Sequence, residues 1–119
     1  MSIYSAAPVE LEPVVFLAAW RVFEASLCGQ PPTRHLCGRQ MPSRGGRAST
    51  AIEEINSVDR TVRTRSGRLY ALLGNSGHNS DALYVWETWS SMNDAKDIRD
   101  VTDEIEALLV HPDGSGDRK

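Results

Sequence analysis

The chain has 119 residues with a formal net charge of −3, 40% hydrophobic and 24% charged residues, nine glycines and six prolines. That composition excludes collagen-like, coiled-coil and wholly disordered chains, and the length suits one packed core. The longest apolar run, Val14 to Trp20, is seven residues against the roughly 20 of a membrane-spanning helix. Met1 to Glu12 lacks the basic start and apolar stretch of a signal peptide, so a soluble, cytoplasmic protein with no membrane partner is expected.

In chain order, residues 1–13 carry two prolines and no clear period, which reads as a tail. Residues 14–110 are expected to form a single α+β domain, and 111–119, with Asp113-Gly-Ser-Gly-Asp117, a flexible C-terminal tail. Val14 to Leu27 fits a helix through Phe16, Trp20, Phe23 and Leu27, yet Trp20 to Glu24 also alternates as a strand. Thr50 to Val58 fits a helix too, with Thr50 and Glu53 spaced as a capping box. Both alternatives stay open; the strand reading is preferred. It yields a meander of Trp20–Leu27, Thr33–Met41 and Arg47–Asn56, joined by loops at Gln30-Pro-Pro32 and Ser43-Arg-Gly-Gly46.

Arg60 to Leu73 reads as a hairpin about Ser66-Gly67, a pair suited to a two-residue turn. Counting outward from that turn places Arg65 opposite Arg68, Arg63 opposite Tyr70 and Val62 opposite Ala71. Val62, Thr64, Leu69, Ala71 and Leu73 then share a core face, and Arg63, Arg65, Arg68 and Tyr70 form a basic face with an aromatic in it. A helix follows at about Asp81 to Met92, with Ala82, Val85, Trp86, Trp89 and Met92 at helical spacing and Ser80 or Asp81 as its cap. A weaker, acidic helix runs from about Val101 to Val110. The expected fold is α+β: an antiparallel meander of about five strands, strongly bent, packed against one or two C-terminal helices.

Charge divides the molecule. Residues 21–68 hold nine arginines and no lysine against four acids, a net of +5; residues 69–119 hold ten acids against four basic groups, a net of −6. Guanidinium is a planar fork suited to carboxylate or phosphate. Three arginines on neighbouring strand positions repel unless something anionic lies near, so the face of Arg63, Arg65 and Arg68 calls for an internal or external partner.

The segments Trp20-Arg-Val-Phe-Glu24, Thr33-Arg-His-Leu-Cys-Gly38, Gly46-Arg-Ala-Ser-Thr-Ala-Ile52, Thr64-Arg-Ser-Gly-Arg68-Leu-Tyr-Ala-Leu-Leu-Gly74 and Asp81-Ala-Leu-Tyr-Val-Trp86 together resemble small bacterial proteins carried on mobile elements such as prophages, plasmids and integron cassettes. Those proteins carry no assigned activity. The resemblance implies strands over residues 20–90 and a mobile-element origin, and transfers no catalytic residue.

Candidate chemistry is sparse. Cys28, His35 and Cys37 lack a fourth ligand at any recognised zinc spacing, so neither a metal nor a cofactor is expected; in the meander the two cysteines stand too far apart to bridge and read as free, buried thiols. The loop Gly74 to Asp81 gathers Ser76, His78, Ser80 and Asp81 at a strand-to-helix connection, where an anion or ligand could bind. It matches neither a nucleophile elbow nor a phosphate-binding Walker loop, and glycine, asparagine and serine there also make an ordinary turn. Trp86 and Trp89 belong to the core by spacing. Tyr70 and Tyr84 are the aromatics best suited to an interface.

Three functions compete. The first is a small binding module acting through protein contacts or self-association as a homo-oligomer, with no catalytic residue. The second is a nucleic-acid-binding accessory protein using Arg63, Arg65 and Arg68, with Tyr70 free to stack on a base. The third, with least support, is an enzyme built on the 74–81 loop.

Overall fold

A computed structural model describes residues 13–109; of the two expected tails only Pro13 falls within it. Strand β1 (Val14–Leu27) is followed by β2 (Thr33–Met41), β3 (Gly46–Ala48), β4 (Ile52–Asn56), β5 (Thr61–Thr64) and β6 (Leu69–Leu73). Helix α1 (Ser80–Met92), strand β7 (Ala95–Asp100) and helix α2 (Thr102–Leu108) complete the chain. Both ambiguous segments are therefore extended. The spacing of Thr50 and Glu53 does not cap a helix, because tertiary partners claim both: the Thr50 hydroxyl accepts from the Ser66 amide at 3.2 Å, and Glu53 pairs with Arg63.

The fold is α+β, a mostly antiparallel and strongly bent sheet with two helices. Its strand order is β3-β2-β1-β6-β5-β4, and β7 pairs with the second half of β1. Seven strands replace the expected five for two reasons. The segment 47–56 breaks at Ser49 to Ala51 into β3 and β4, and the stretch between the helices adds β7. Two pairings depart from a meander: β7 lies on β1, and Val14 to Ala18 run parallel to Leu69 to Leu73. The two ends of the strand order, β3 and β4, are joined by only Ser49, Thr50 and Ala51. A flat sheet would hold them about 24 Å apart, whereas that link reaches about 10–14 Å when extended. The sheet must curl.

Inside the curl lies the main core. Val15, Leu17, Trp20 and Val22 of β1 meet Leu36, Val62, Tyr70 and Leu72, and α2 seals them with Ile105, flanked by Val101 and Leu109. On the opposite face of β1 and β2, α1 lays Val85 and Trp86 over Phe23, Ala25, Cys37 and Ala48. One strand feeds both cores because alternate residues face opposite sides, Trp20 and Val22 into the curl and Phe23 and Ala25 under α1, and a bulge keeps Trp20 on the inner face. The register against β2 shifts between Ala18 and Arg21, with Ala19 at φ +50°, and the extra residue bends the strand.

Cys37 stands opposite Arg21, in a register of β1 with β2 that runs unbroken from Ala25 opposite Thr33. Both thiols are free, and only Cys37 is buried; the expectation of two buried thiols fails at Cys28, which is exposed. Burial pushes the Cys37 thiol up to about 12, and the Cys28 thiol donates to the Asn93 carbonyl at 3.4 Å.

The hairpin turn is where the expected faces fail. The Gly67 amide donates to the Thr64 carbonyl at 2.8 Å, and the Thr64 amide to the Arg68 carbonyl at 3.1 Å. The loop is thus three residues, Arg65-Ser66-Gly67, with Gly67 at φ +91°, a type I turn closed by a left-handed glycine. Val62 stands opposite Tyr70 and Arg63 opposite Leu69. One extra loop residue turns every β6 side chain to the other face: Tyr70 and Leu72 go into the core, while Leu69 and Leu73 come out.

Candidate functional site

The basic face does not assemble. Arg63 lies on the outer side of β5, and Arg65 is exposed in the turn. Arg68 and Tyr70 are buried, at 5% and 1% exposure, because the three-residue loop sends them inward. The two outer arginines face carboxylates from β4: Arg63 reaches Glu53 and Glu54 at 3.2 Å each, and Arg65 reaches Glu53 at 3.7 Å. Their neutralisation comes from the adjacent strand and not from the acidic C-terminal helix. Inside the curl, the Arg47 guanidinium sits 6.0 Å from the Tyr70 ring centre and donates to Gln40 Oε1 at 2.9 Å. Arg60 donates to the Gly74 carbonyl. Tyr70, expected in an interface, is a core residue; Tyr84 is exposed on α1.

The loop of Ser76, His78, Ser80 and Asp81 divides among separate tasks. Glu106 of α2 accepts from the Ser76 amide at 3.0 Å and from its hydroxyl at 2.8 Å, so Ser76 fastens the loop to α2. Gly77 donates to the Trp20 carbonyl at 3.1 Å and accepts from Arg21 Nη1 at 3.0 Å. The cap of α1 is neither Ser80 nor Asp81 but Asn79, whose Oδ1 accepts from the Ala82 amide at 2.9 Å; Asn79 alone has the extended backbone that a cap needs. His78 and Ser80 are exposed, and among the described residues no hydrogen bond joins His78 to the other three. Beside Ser76 an open pocket of about 450 Å³ is lined by Asn75, Asp103, Glu106 and Ala107. Among the described residues no three histidine, cysteine or acidic side chains gather as metal ligands.

Most other charges are spent on holding elements together. Glu24, Arg34, Arg99 and Glu104 close a ring in which each arginine reaches both carboxylates at 3.0–3.2 Å, tying β1, β2, β7 and α2 together. The hydrogen bonds from Arg99 and Arg34 hold the Glu24 carboxyl below its ordinary value. Burial pushes Asp100 up, but Thr102 and Arg21, both donating to it, leave its carboxyl lowered.

His35 is the one buried titrating base among the described residues. The Ser49 carbonyl, 3.1 Å away, can only accept, so Nδ1 carries the proton and Nε2 accepts from the Thr33 hydroxyl at 2.7 Å. The ring lies 4.9 Å from Trp89 and 5.8 Å from Trp86. Burial lowers its pKa from the ordinary 6.5. The unfolded chain then binds a proton that the folded chain refuses, so stability is full above 6.5 and falls as the pH drops towards the folded value. The slope is at most about 1.4 kcal/mol per pH unit for one proton. Glu24 and Asp100 add their losses only below their ordinary 4.5 and 3.8. Denaturant titrations between pH 7 and pH 5 are expected to show a decline in the wild type and a flat profile in His35→Gln. An equal decline in both would remove His35 as its source.

A different surface stands out once the register is known. Val14, Phe16 and Ala18 lie on the same outer face as Leu69, Ala71 and Leu73, paired row by row as Val14 with Leu69, Phe16 with Ala71 and Ala18 with Leu73. Val14, Phe16, Leu69 and Leu73 are 37–46% exposed. Further along β1 and β2 the same face is sealed by α1, which packs on β2 and β3. No family model, curated protein or solved structure matches this chain. The reading of function therefore starts from this surface and its chemistry. Reasoning from sequence missed it: a two-residue turn puts Leu69 and Leu73 inward, and only the count of loop residues separates the two registers. Among the described residues no helix is long and apolar enough to cross a membrane.

Proposed function

We propose that this protein is a small binding module that acts through protein contacts, presenting the outer face of β1 and β6 to its partner. The observation that carries the reading is the contiguous exposure of Val14, Phe16, Leu69 and Leu73 on two in-register strands. A folded chain gains nothing by leaving four large apolar side chains in water on one sheet face, and contiguous apolar patches of this kind are where proteins meet. The charges beside the patch support the same reading. Arg63, next to Leu69 on β5, already has Glu53 and Glu54 as partners, so docking need not bury a bare guanidinium.

The test is photo-crosslinking in the cell, with a benzophenone amino acid at position 16, at position 73, or at the control position 87 on the exposed side of α1. Adducts to protein are expected from 16 and 73 and not from 87. The reading fails if 16 and 73 give none, or give no more than 87.

A further inference from the structure

We infer that α1 is an acid-released flap: protonation of His35 lifts it from the outer face of β1 and β2 while the curled sheet and its main core stay folded. This goes beyond the docking of a partner to β1 and β6 and does not depend on it.

Two cores lie on opposite faces of β1 and β2, and His35 belongs to the smaller one. The main core is filled from β1, β2, β5, β6 and α2, and no residue of α1 enters it. His35, 1% exposed, lies on the other face, opposite Phe23 of β1 and beneath Trp89 and Trp86 of α1, at 4.9 and 5.8 Å. Its immediate neighbours are neutral. The Ser49 carbonyl and the Thr33 hydroxyl take its two nitrogens, and the thiol of Cys37, next on the same face of β2, is pushed up to about 12. The acids of α1, Asp81 and Glu87, are exposed, and Arg47 of β3 points into the curl beside Tyr70. On β1 and β7 Arg21 and Asp100 pair with each other, as do Lys96 and Asp94. The charge that bears on the ring is a like one, Arg65 of the β5–β6 turn, whose partner Glu53 is 3.7 Å from it.

A proton added to His35 keeps both hydrogen bonds, because the Thr33 hydroxyl turns from donor to acceptor. What the imidazolium lacks is a counter-charge: no carboxylate among the described residues bears on it. The tryptophan faces attract a cation, but stripping water from one without an anion costs more. Water is reached most cheaply by moving the element that covers the ring. Helix α1 packs on β2, β3 and β7 and seals this face with Val85 and Trp86, flanked by Leu83 and Trp89. Its release exposes that one small cluster, whereas global unfolding exposes both cores, so the local opening is the smaller excursion. The main core, on the far side of β2, never meets the charge. Lifting α1 uncovers Phe23, Ala25, Cys37 and Ala48, further along the sheet face that already carries Val14 and Phe16, so acid widens the apolar surface.

Cys37 reports the position of the flap, since α1 covers it. In a Cys28→Ser background Cys37 is the single thiol. Its rate of reaction with dithiodipyridine is measured at pH 7 and pH 5 and divided by the rate of the same chain unfolded in denaturant at the same pH, which removes the intrinsic chemistry of the thiol. The ratio is expected to rise roughly 10–25-fold from pH 7 to pH 5, as one proton gives when the opened histidine has its ordinary pKa of about 6.5. In His35→Gln, whose amide replaces both hydrogen bonds without a titrating group, the ratio is expected to stay flat. At pH 5 it should also be indifferent to urea below about 1 M, because a local opening exposes little surface. An unchanged ratio, or an equal rise in His35→Gln, overturns the inference. A dependence on urea as steep as that of global unfolding overturns it too, since α1 then does not move alone. If His35→Gln fails to fold, the urea dependence of the chain with His35 decides by itself.

Discussion

Replacing Trp20 by alanine is expected to cost about 4 kcal/mol and to lower the melting temperature by roughly 10–20 °C. Trp20 is fully buried and stands just past the bulge at Ala19. Its ring fills the curl of the sheet, and its Nε1 donates to the Gly74 carbonyl at 3.2 Å. Its own carbonyl accepts from Gly77 at 3.1 Å. The side chain therefore ties the inside of the curl to the loop that leads into α1. Alanine removes the packing and the bond to Gly74, whose carbonyl keeps Arg60 as a donor; phenylalanine keeps most of the burial and loses only that bond, so Trp20→Phe is expected to cost roughly 1–2 kcal/mol. Chemical denaturation followed by far-ultraviolet circular dichroism measures both. A loss under about 2 kcal/mol in the alanine variant would mean that the loop, and not the ring, holds the bend.

The distance between what is readable in the chain and what is not comes down to particular residues. The α1 stripe of Ala82, Val85, Trp86 and Trp89 repeats at helical spacing, and the helix forms where that period places it. The mixed α+β character follows from such periods. The face of a strand depends on something finer. Ser66-Gly67 identifies a turn, but a two-residue and a three-residue loop both use that glycine at positive φ, and the two differ by one position in register. Alternation cannot decide between them, because Tyr70 suits a core and Leu69 tolerates exposure. Arg68 has to go inside for the three-residue loop to win, and nothing local announces that.

Pairing partners far apart in sequence account for the remaining differences. Glu53 and Glu54 neutralise Arg63 only because β4 lies beside β5. The ring of Glu24, Arg34, Arg99 and Glu104 needs β7 on β1, and β7, with most of its residues exposed, carries no alternation to mark it as a strand. The parallel pairing of β1 with β6 is likewise invisible to a local reading, and it is the pairing that creates the candidate site. The first half of β1 must lie beside β6 for four separate apolar side chains to become one patch.

Whether that patch stays open depends on how α1 is seated, and Gly46 tests the seating most sharply. A Cβ at this position would lie 2.5 Å from the Asp81 carbonyl oxygen and 2.8 Å from the Ala82 amide nitrogen. Both are backbone atoms, so no side-chain rotation relieves the clash, and the first turn of α1 has to lift off β3. Gly46→Val is expected to cost about 3 kcal/mol or more, at the upper end of what overpacking does. Phe23 stacks on Trp86 at 5.1 Å and Trp86 on Trp89 at 5.6 Å, and these contacts depend on the helix being down. The near-ultraviolet circular dichroism of the tryptophans should therefore fall along with stability. Gly45→Val is the control, since a Cβ there has nothing within 4 Å, and it should leave both signals within experimental error. If Gly46→Val keeps the wild-type tryptophan spectrum and loses less than about 1 kcal/mol, α1 is not anchored through this contact. The limit of its cover over the sheet would then have to be set at its other end, where the Asn93 side chain donates to the Trp89 carbonyl at 2.8 Å and the chain turns into β7.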